Sequence, residues 1–209
     1  AFAGGPLTGA VCNVDPVLDA MGWYCGSTFV GTPATGDVAQ KNPNSGGLYD
    51  MHGNVWEWCA DWFARDYYAT APVDDPTGPS ASVGHPCRGG GWGYNPGISR
   101  SAHRNMYVPD RTDYQLGFRL AASIEVVNKA NFPTSVASSN ATSTDAPPLA
   151  IAPFDAVTAK QHQQVWADYL GLPVEKEVEL PGGGKLAFML IPPGEFLMGS
   201  SESERQQSM

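Results

Sequence analysis

Apolar and polar side chains alternate across Val55–Cys59, which reads Val-Trp-Glu-Trp-Cys. Alternation is the period of a β-strand, and it places Val55, Glu57 and Cys59 on one face and the two tryptophans on the other. A carboxylate between two tryptophans needs a cation or several hydrogen-bond donors, because an unpaired buried charge is costly. We therefore predict a short strand in which Glu57 has a partner.

Further strand patterns follow this segment, and a helix start precedes it. Cys87–Trp92 predicts a strand that enters a bend of glycines, and Leu116–Ala122 predicts a closing strand. Upstream, Asp15 followed by Pro16 is typical of the N-cap and first position of a helix. The intervening segments, including 106–114, are predicted to be loops.

Near the end of the chain, a pattern typical of a helix is followed by a pattern typical of two strands. Asp155 is placed to cap a helix that runs to Leu170 and ends at Gly171. Two strands joined by a glycine turn are predicted between Glu175 and Met198. The predicted apolar face of the helix consists of Val165, Trp166, Tyr169 and Leu170.

Composition favours a loop-rich fold with short strands. The 209 residues include 24 glycines and 18 prolines, and only 16% are charged, a balance that by itself favours short strands, turns and long ordered loops over helical bundles. The formal net charge of -9 argues against nucleic-acid binding, which needs a basic surface. No apolar run approaches the roughly 20 residues that span a bilayer, so no membrane segment is predicted in this chain.

The chain has 4 cysteines, and none of them forms a Cys-x-x-Cys pair, so a zinc site built on such pairs is not expected. Cys12 and Cys25 flank the predicted helix start and are candidates for a disulfide. The alternative is that the thiols are free and buried. Pairing would favour a periplasmic or extracellular location, because disulfides persist in oxidising compartments.

Several spaced motifs occur in a fixed order: GLYDMHGNVWEW from Gly47, RGGGW from Arg88, RSAHR from Arg100 and GFR from Gly117. In this order they resemble the formylglycine-generating enzyme, or sulfatase-modifying factor, family. The resemblance covers about residues 1–122. It implies an α+β fold, the formylglycine-generating-enzyme-like variant of the C-type-lectin fold, which is irregular and loop-rich with short antiparallel strands.

The order of the segments predicts an interrupted domain. Phe188–Ser200 resembles the first strand of the family, although it stands near the end of this chain, and the middle of the family's domain is missing. We predict that residues 1–122 are the C-terminal part of one module and 123–150 a Ser/Thr/Pro-rich linker. Residues 151–209 would then be a helix and the first strands of a second module. The alternative is a circularly permuted domain.

The resemblance also bears on catalysis. Active members of the family hold copper with a cysteine pair between the motifs that correspond to RGGGW and RSAHR, but Gly93–Ser99 contains no cysteine. Because copper(I) needs soft thiolates, copper is not expected. We predict a non-oxidase ligand-binding or accessory module. The alternatives are an active oxidoreductase or other enzyme of the superfamily with catalytic residues in the missing segment, and a secreted structural repeat.

A calcium site is implied at four positions that match the family's pattern: Asp50, Gly53, Val55 and Glu57. Two carboxylates and two backbone carbonyls are the oxygen ligands that a hard cation prefers. The alternative is that Glu57 pairs with an arginine, Arg104 or Arg119, while Asp50 caps the turn.

A ligand-binding surface is implied on the loops between RGGGW and GFR, where related domains bind their ligands. The alternative is an ordinary aromatic loop surface. His52 and His103 are predicted to pack rather than to bind metal, because no second histidine lies at ligand spacing. The candidate ligand-binding residues are Tyr94, Asn95, Ile98, Asn105, Tyr107 and Tyr114.

Overall fold

The computed structural model describes residues 11–28, 34–72, 74–122, 146–151, 155–180 and 182–195. These residues form short helices, small sheets and long loops, which confirms the α+β class. The α-helices are α1 (Pro16–Asp19), α2 (Cys25–Thr28) and α3 (Ala156–Leu170), and 3-10 turns occupy Tyr67–Ala69 and Pro96–Ser99. The strands are β1 (Gly22–Trp23), β2 (His52–Gly53), β3 (Trp56–Trp58), β4 (His85–Arg88), β5 (Asn105–Tyr107), β6 (Leu116–Gly117), β7 (Ala150–Ile151), β8 (Glu175–Glu179), β9 (Lys185–Met189) and β10 (Gly194–Glu195).

The described residues fall into two compact units. The first contains the chain as far as Pro43 together with Tyr49–Leu120. The second contains Asn44–Leu48 together with the described residues between Ala121 and Leu197. The assignment of these units to two modules stays a prediction, and residues 123–145 of the predicted linker lie outside the described residues.

The first unit is built around a four-stranded sheet in the order β5-β4-β3-β6. β3 pairs antiparallel with β4, which aligns Glu57 with Arg88, and parallel with β6, which aligns Glu57 with Gly117. The prediction of antiparallel strands is therefore wrong for the pair β3 and β6. The long connection before β6 lets the chain return in the same direction as β3. The sheet thus brings three of the four sequence motifs side by side.

The strands of this sheet are shorter than their patterns predict. β4 ends at Arg88 because Gly89 and Gly90 adopt φ of 89° and 78°, which turns the chain out of the strand. β6 covers only Leu116–Gly117 of the predicted closing strand. The loop prediction for 106–114 is wrong at its start, where β5 pairs with β4.

The start of the first unit is held by a capped turn. Asp15 Oδ1 accepts hydrogen bonds from the backbone N–H groups of Val17 (3.0 Å) and Leu18 (3.1 Å), so Asp15 is the N-cap of α1. Leu18, Tyr24 and Cys25 are fully buried together. Cys12 and Cys25 form a disulfide in this structure. The disulfide therefore ties the loop before α1 to this small core.

β1 and β2 pair in parallel at a very close approach of two backbones. Gly53 lies opposite Trp23 and has φ of 83°. A Cβ atom at this position would collide with the carbonyl oxygen of Trp23. Only glycine combines this φ with the absence of a side chain, so Gly53 fixes the path of the turn between β2 and β3.

In the second unit, α3 has the predicted bounds. Asp155 Oδ1 accepts a hydrogen bond from Thr158 N (2.7 Å) at the start of the helix, and Gly171 ends it with φ of 62°. The predicted apolar face is confirmed at Trp166, which is buried, and is wrong at Val165, which is 49% exposed. Leu170 is also exposed, and the buried residues of the helix are Ala159, Gln163, Trp166 and Ala167.

The buried face of α3 differs from the prediction because a polar residue belongs to it. Gln163 is only 4% exposed, and its Nε2 donates to the carbonyl oxygens of Gly46 (2.9 Å) and Leu190 (3.0 Å). These bonds replace the water that an amide needs, so Gln163 can lie on the buried stripe of the helix.

The strand predicted at the end of the chain is divided in two. β9 pairs antiparallel with β8, while β10 pairs in parallel with β7. Pro192 and Pro193 separate β9 from β10, since proline lacks the backbone donor that a strand needs. Residues 196–198 of the predicted strand lie outside the described residues. Among the helices that the structure describes, none has the length and apolar character needed to span a membrane.

Candidate functional site

Glu57 on β3 is neutralised by Arg119, which follows β6. Arg119 Nε lies 3.0 Å from Glu57 Oε2 and 3.2 Å from Oε1, and Arg119 Nη2 lies 2.7 Å from Oε1. The same Nη2 donates to the carbonyl oxygen of Tyr49 at 2.9 Å. The parallel pairing of β3 with β6 makes this contact, so the arginine of GFR is a partner of the glutamate in GNVWEW.

Asp50 is the second carboxylate of the predicted calcium site, and it is held in an unusual backbone conformation with φ of 56°. Its Oδ2 accepts a hydrogen bond from Ala39 N at 2.8 Å. Its Oδ1 is buried and has no hydrogen-bond partner among the described residues. An orphaned carboxylate oxygen costs free energy unless a cation or water satisfies it.

These observations test the fit of a hard cation. The orphaned Oδ1 of Asp50 suits such an ion, and the predicted donors are all oxygen atoms. Glu57 already accepts from Arg119, but a carboxylate has about four lone-pair sites, so it retains acceptor capacity. Within the described residues no three His, Cys, Asp or Glu side chains are grouped as metal ligands. A cation here would therefore depend on backbone carbonyls for its remaining ligands.

The two histidines of the motifs occupy packing positions. His52 is buried, and its Nδ1 lies 2.9 Å from the carbonyl oxygen of Ser99. Burial lowers the pKa of His52, so the ring is neutral near pH 7. His103 packs on Trp56 with ring centroids 5.8 Å apart, and its pKa is lowered by burial and then by Arg100 and Arg88. Neither environment suggests a catalytic base.

The cysteines outside the disulfide are poor thiolate donors. Cys87 on β4 is fully buried, and burial raises its pKa to about 12. Burial also raises the pKa of Cys59, although the neighbouring Arg88 opposes this effect. Both thiols are therefore protonated near pH 7, whereas soft metals bind the thiolate.

The structure brings some of the candidate ligand-binding residues together. The pKa of Tyr107 is raised to about 12 by burial and by a hydrogen bond with Tyr94. Tyr114 is 76% exposed and lies beside Trp92, with ring centroids 5.9 Å apart. Tyr94 and Tyr107 are thus a contacting pair, and Tyr114 belongs to a separate aromatic contact.

The remaining candidates have local roles in the described structure. Asn95 precedes the 3-10 turn that contains Ile98, and it is exposed. Asn105 lies on β5, where its Oδ1 accepts a hydrogen bond from Met106 N at 2.9 Å. Sequence reasoning missed the Tyr49 carbonyl as a partner of Arg119. No residue type could have signalled it, because every residue carries a carbonyl.

The fold and the site define a class before any relative is considered: an α+β domain whose glycine-rich turn and Glu–Arg pair lock a small sheet together. Residues 24–124 match the Sulfatase-modifying factor enzyme 1-like domain. This region of the chain belongs to that family.

Part of this chain is similar in sequence to relatives that have different names. The chain is 38% identical over 98 residues to the formylglycine-generating enzyme of Streptomyces coelicolor. The aligned residues cover 46% of this chain and 31% of that protein. It is 40% identical over 95 residues to the serine/threonine-protein kinase pkn1 of Chlamydia pneumoniae, covering 44% and 15%. The chain thus spans about a third or less of the length of these relatives.

Among solved structures, the chain is similar to Treponema denticola variable protein 1, with 36% identity and a TM-score of 0.44. This similarity covers 48% of this chain and 35% of that protein. It is also similar to PvdO from Pseudomonas aeruginosa, with 32% identity, a TM-score of 0.43, and coverage of 48% and 38%.

Proposed function

We propose that the sulfatase-modifying-factor-like domain of this chain is a ligand-binding or accessory module without copper-thiolate oxidase chemistry. The state of the cysteines carries this proposal. Two of the 4 cysteines in the chain are joined in a disulfide, and the pKa values of the other two are raised by burial. No cysteine lies in Gly93–Ser99, where the resemblance would require the copper ligands. Soft thiolates are therefore missing where copper would need them.

Oxygen consumption tests the loss of oxidase chemistry. The 209-residue chain is supplied with copper and a peptide that carries a sulfatase motif. We expect no oxygen uptake above that of free copper with the same peptide. Turnover in the parent would overturn the proposal, and a Cys59→Ser/Cys87→Ser double variant would then show whether these thiols support it.

The ligand surface of the proposed module is made by the loops between RGGGW and GFR. Tyr94, Tyr107 and Tyr114 offer aromatic area and hydroxyl groups with little conformational entropy to lose, as in other adaptable binding surfaces. Glycan and peptide arrays probed with the labelled chain test this surface. Binding should be lost in Tyr114→Ala and kept in Tyr169→Ala on α3. Equal loss in both variants would contradict the assignment.

We further propose that calcium stabilises the turn between Asp50 and Glu57. Asp50 and Glu57 would supply carboxylate oxygens, and Gly53 and Val55 would supply carbonyl oxygens. The orphaned Oδ1 of Asp50 supports this proposal. We expect calcium to raise the melting temperature of the parent, and Asp50→Ala to abolish the increase, while Asp110→Ala keeps it. A parent that melts identically with calcium and with chelator would exclude the site.

The finer fold and the location of the protein are part of the same proposal. The scaffold would be the C-type-lectin-like variant, and a second copy of the domain would be its partner in a tandem protein. The Cys12–Cys25 disulfide favours a periplasmic or extracellular location, where such bonds persist. Sequencing the complete reading frame would test the tandem arrangement through a second GNVWEW motif.

A further inference from the structure

Two arginines of the first unit meet at one tyrosine. Arg88 Nη2 donates to the hydroxyl of Tyr68 at 2.5 Å, and Arg88 Nη1 donates to the carbonyl oxygen of Ser101 at 2.9 Å. The guanidinium of Arg104 lies over the ring of the same Tyr68, 4.5 Å from its centroid. Two formal positive charges are therefore concentrated around Tyr68 in a chain with a net charge of -9.

No carboxylate neutralises this pair in the described part of the chain. The ion pairs there involve Lys41, Arg111, Arg119 and Lys185, and neither Arg88 nor Arg104 is among them. Glu57 lies directly opposite Arg88 in the β3–β4 register. It is nevertheless bound to Arg119, which takes the carboxylate that Arg88 would otherwise use.

Aromatic side chains fix the position of Arg104. Its guanidinium lies 4.7 Å from the ring centroid of Phe63 and 4.5 Å from that of Tyr68, and Nη2 donates to the carbonyl oxygen of Arg65. Guanidinium N–H groups lie in the plane of the group, so contacts with the two ring faces leave the edge available to acceptors. Arg104 Nε and Nη1 have no hydrogen-bond partner among the described residues.

We propose that Arg88, Arg104 and the Tyr68 hydroxyl form a binding site for a phosphate group, either the free ion or a phosphate monoester. A dianion matches the two guanidinium charges, and its tetrahedral oxygens can accept from donors that lie in different planes. The Tyr68 hydroxyl accepts from Arg88, so its own hydrogen remains for the ligand. The site uses none of the residues of the proposed ligand surface or calcium site.

The surroundings support an excess of positive charge. The hydrogen bonds of Arg88 and Arg104 are solvent-exposed, which lets a soluble ion reach them. The pKa of His103, next to Arg104 in the chain, is lowered first by burial and then by the positive charges of Arg100 and Arg88.

Calorimetric titration of the full chain with inorganic phosphate and with phosphoserine, at constant ionic strength, tests the site. We expect saturable binding, weakened about tenfold or more in Arg104→Gln and in Arg88→Gln, because each loses charge-assisted hydrogen bonds. Tyr68→Phe keeps the ring under Arg104 and should weaken binding about threefold to tenfold through the lost hydroxyl. Arg111→Gln is the matched control, since it removes an equal charge from an arginine that is paired with Asp113.

Binding of inorganic phosphate alone would identify the free ion, and tighter binding of phosphoserine would identify a monoester; either result supports the site. No saturable heat in the parent would overturn it, as would an equal loss in Arg111→Gln, which would indicate nonspecific charge attraction. Acetate that binds as tightly as phosphate would refute the assignment to phosphate. Binding only to vesicles that contain phosphatidylglycerol, whose headgroup is a phosphate diester with a single negative charge, would also refute it.

Discussion

Glu57 in the first unit and Gln163 in the second are polar side chains on elements with buried tryptophans, but their partners differ in kind. Glu57 is neutralised by the side chain of Arg119 at 2.7 Å, whereas Gln163 donates to two backbone carbonyls. The partner of Glu57 is a side chain of opposite charge, which is visible in a sequence as a residue type. A neutral amide can be satisfied by any backbone, and the sequence does not mark which one.

The largest expected effect concerns the core beneath the sheet of the first unit. Trp56 is 1% exposed and packs on Tyr94 with ring centroids 5.5 Å apart. Trp56→Ala should lower the free energy of unfolding by about 3–5 kcal/mol through lost burial and a residual cavity. Urea unfolding followed by circular dichroism measures the change. Val165→Ala, at an exposed site of α3, should cost less than about 0.5 kcal/mol, and equal costs would contradict the assignment of Trp56 to the core.

Gln163→Leu tests Gln163, the residue whose partners are two backbone carbonyls. The substitution keeps the volume but leaves the carbonyl oxygens of Gly46 and Leu190 without this donor, and we expect a cost of about 2–3 kcal/mol. The control is Gln164→Leu, one residue further along α3, where the side chain bonds only the exposed Asp168. A gain in stability for Gln163→Leu would contradict a stabilising role for the hydrogen bonds of Gln163 to Gly46 and Leu190.

Arg119→Met tests the ion pair between Arg119 and Glu57. We expect a smaller cost of about 1–2 kcal/mol, because Glu57 is partly exposed and water can replace some of the lost contact. Arg111→Met removes an exposed ion pair with Asp113 and should cost about 0.5 kcal/mol or less. If the two substitutions prove equally mild in thermal unfolding, Arg119 does not lock the sheet.

The smallest effect is the pH dependence that His52 contributes. The pKa of His52 is lower in the folded protein than its ordinary value of 6.5. As the pH falls below 6.5, the unfolded chain therefore binds a proton at His52 before the folded chain does. Stability from this group is complete above pH 6.5 and declines as the pH falls towards the folded pKa. His52→Gln should flatten the slope of unfolding free energy between about pH 7 and pH 5. A slope in His52→Gln equal to that of the parent would contradict this contribution.

The sequence predicted those features in which both members of an interaction are recognisable residue types. Asp15 and Asp155 cap their helices as predicted, and Glu57 has the arginine partner named as an alternative. The parallel pairing of β6 was not predicted, because it depends on where the chain returns after a long connection. The division of the last strand at two prolines was not predicted either, although prolines without a backbone donor are visible in the sequence. The predicted face of α3 includes the buried Trp166 but misses Gln163, because a search for hydrophobic periodicity passes over a glutamine.

The close approach of Gly53 to Trp23 has a consequence for how descent and activity are related in such domains. A side chain at this position is excluded by the neighbouring backbone whatever reaction the protein performs. A descendant that exchanges its catalytic groups must still inherit this glycine if it keeps the scaffold. Similarity at this glycine therefore indicates a shared architecture and does not indicate which reaction, if any, a domain performs.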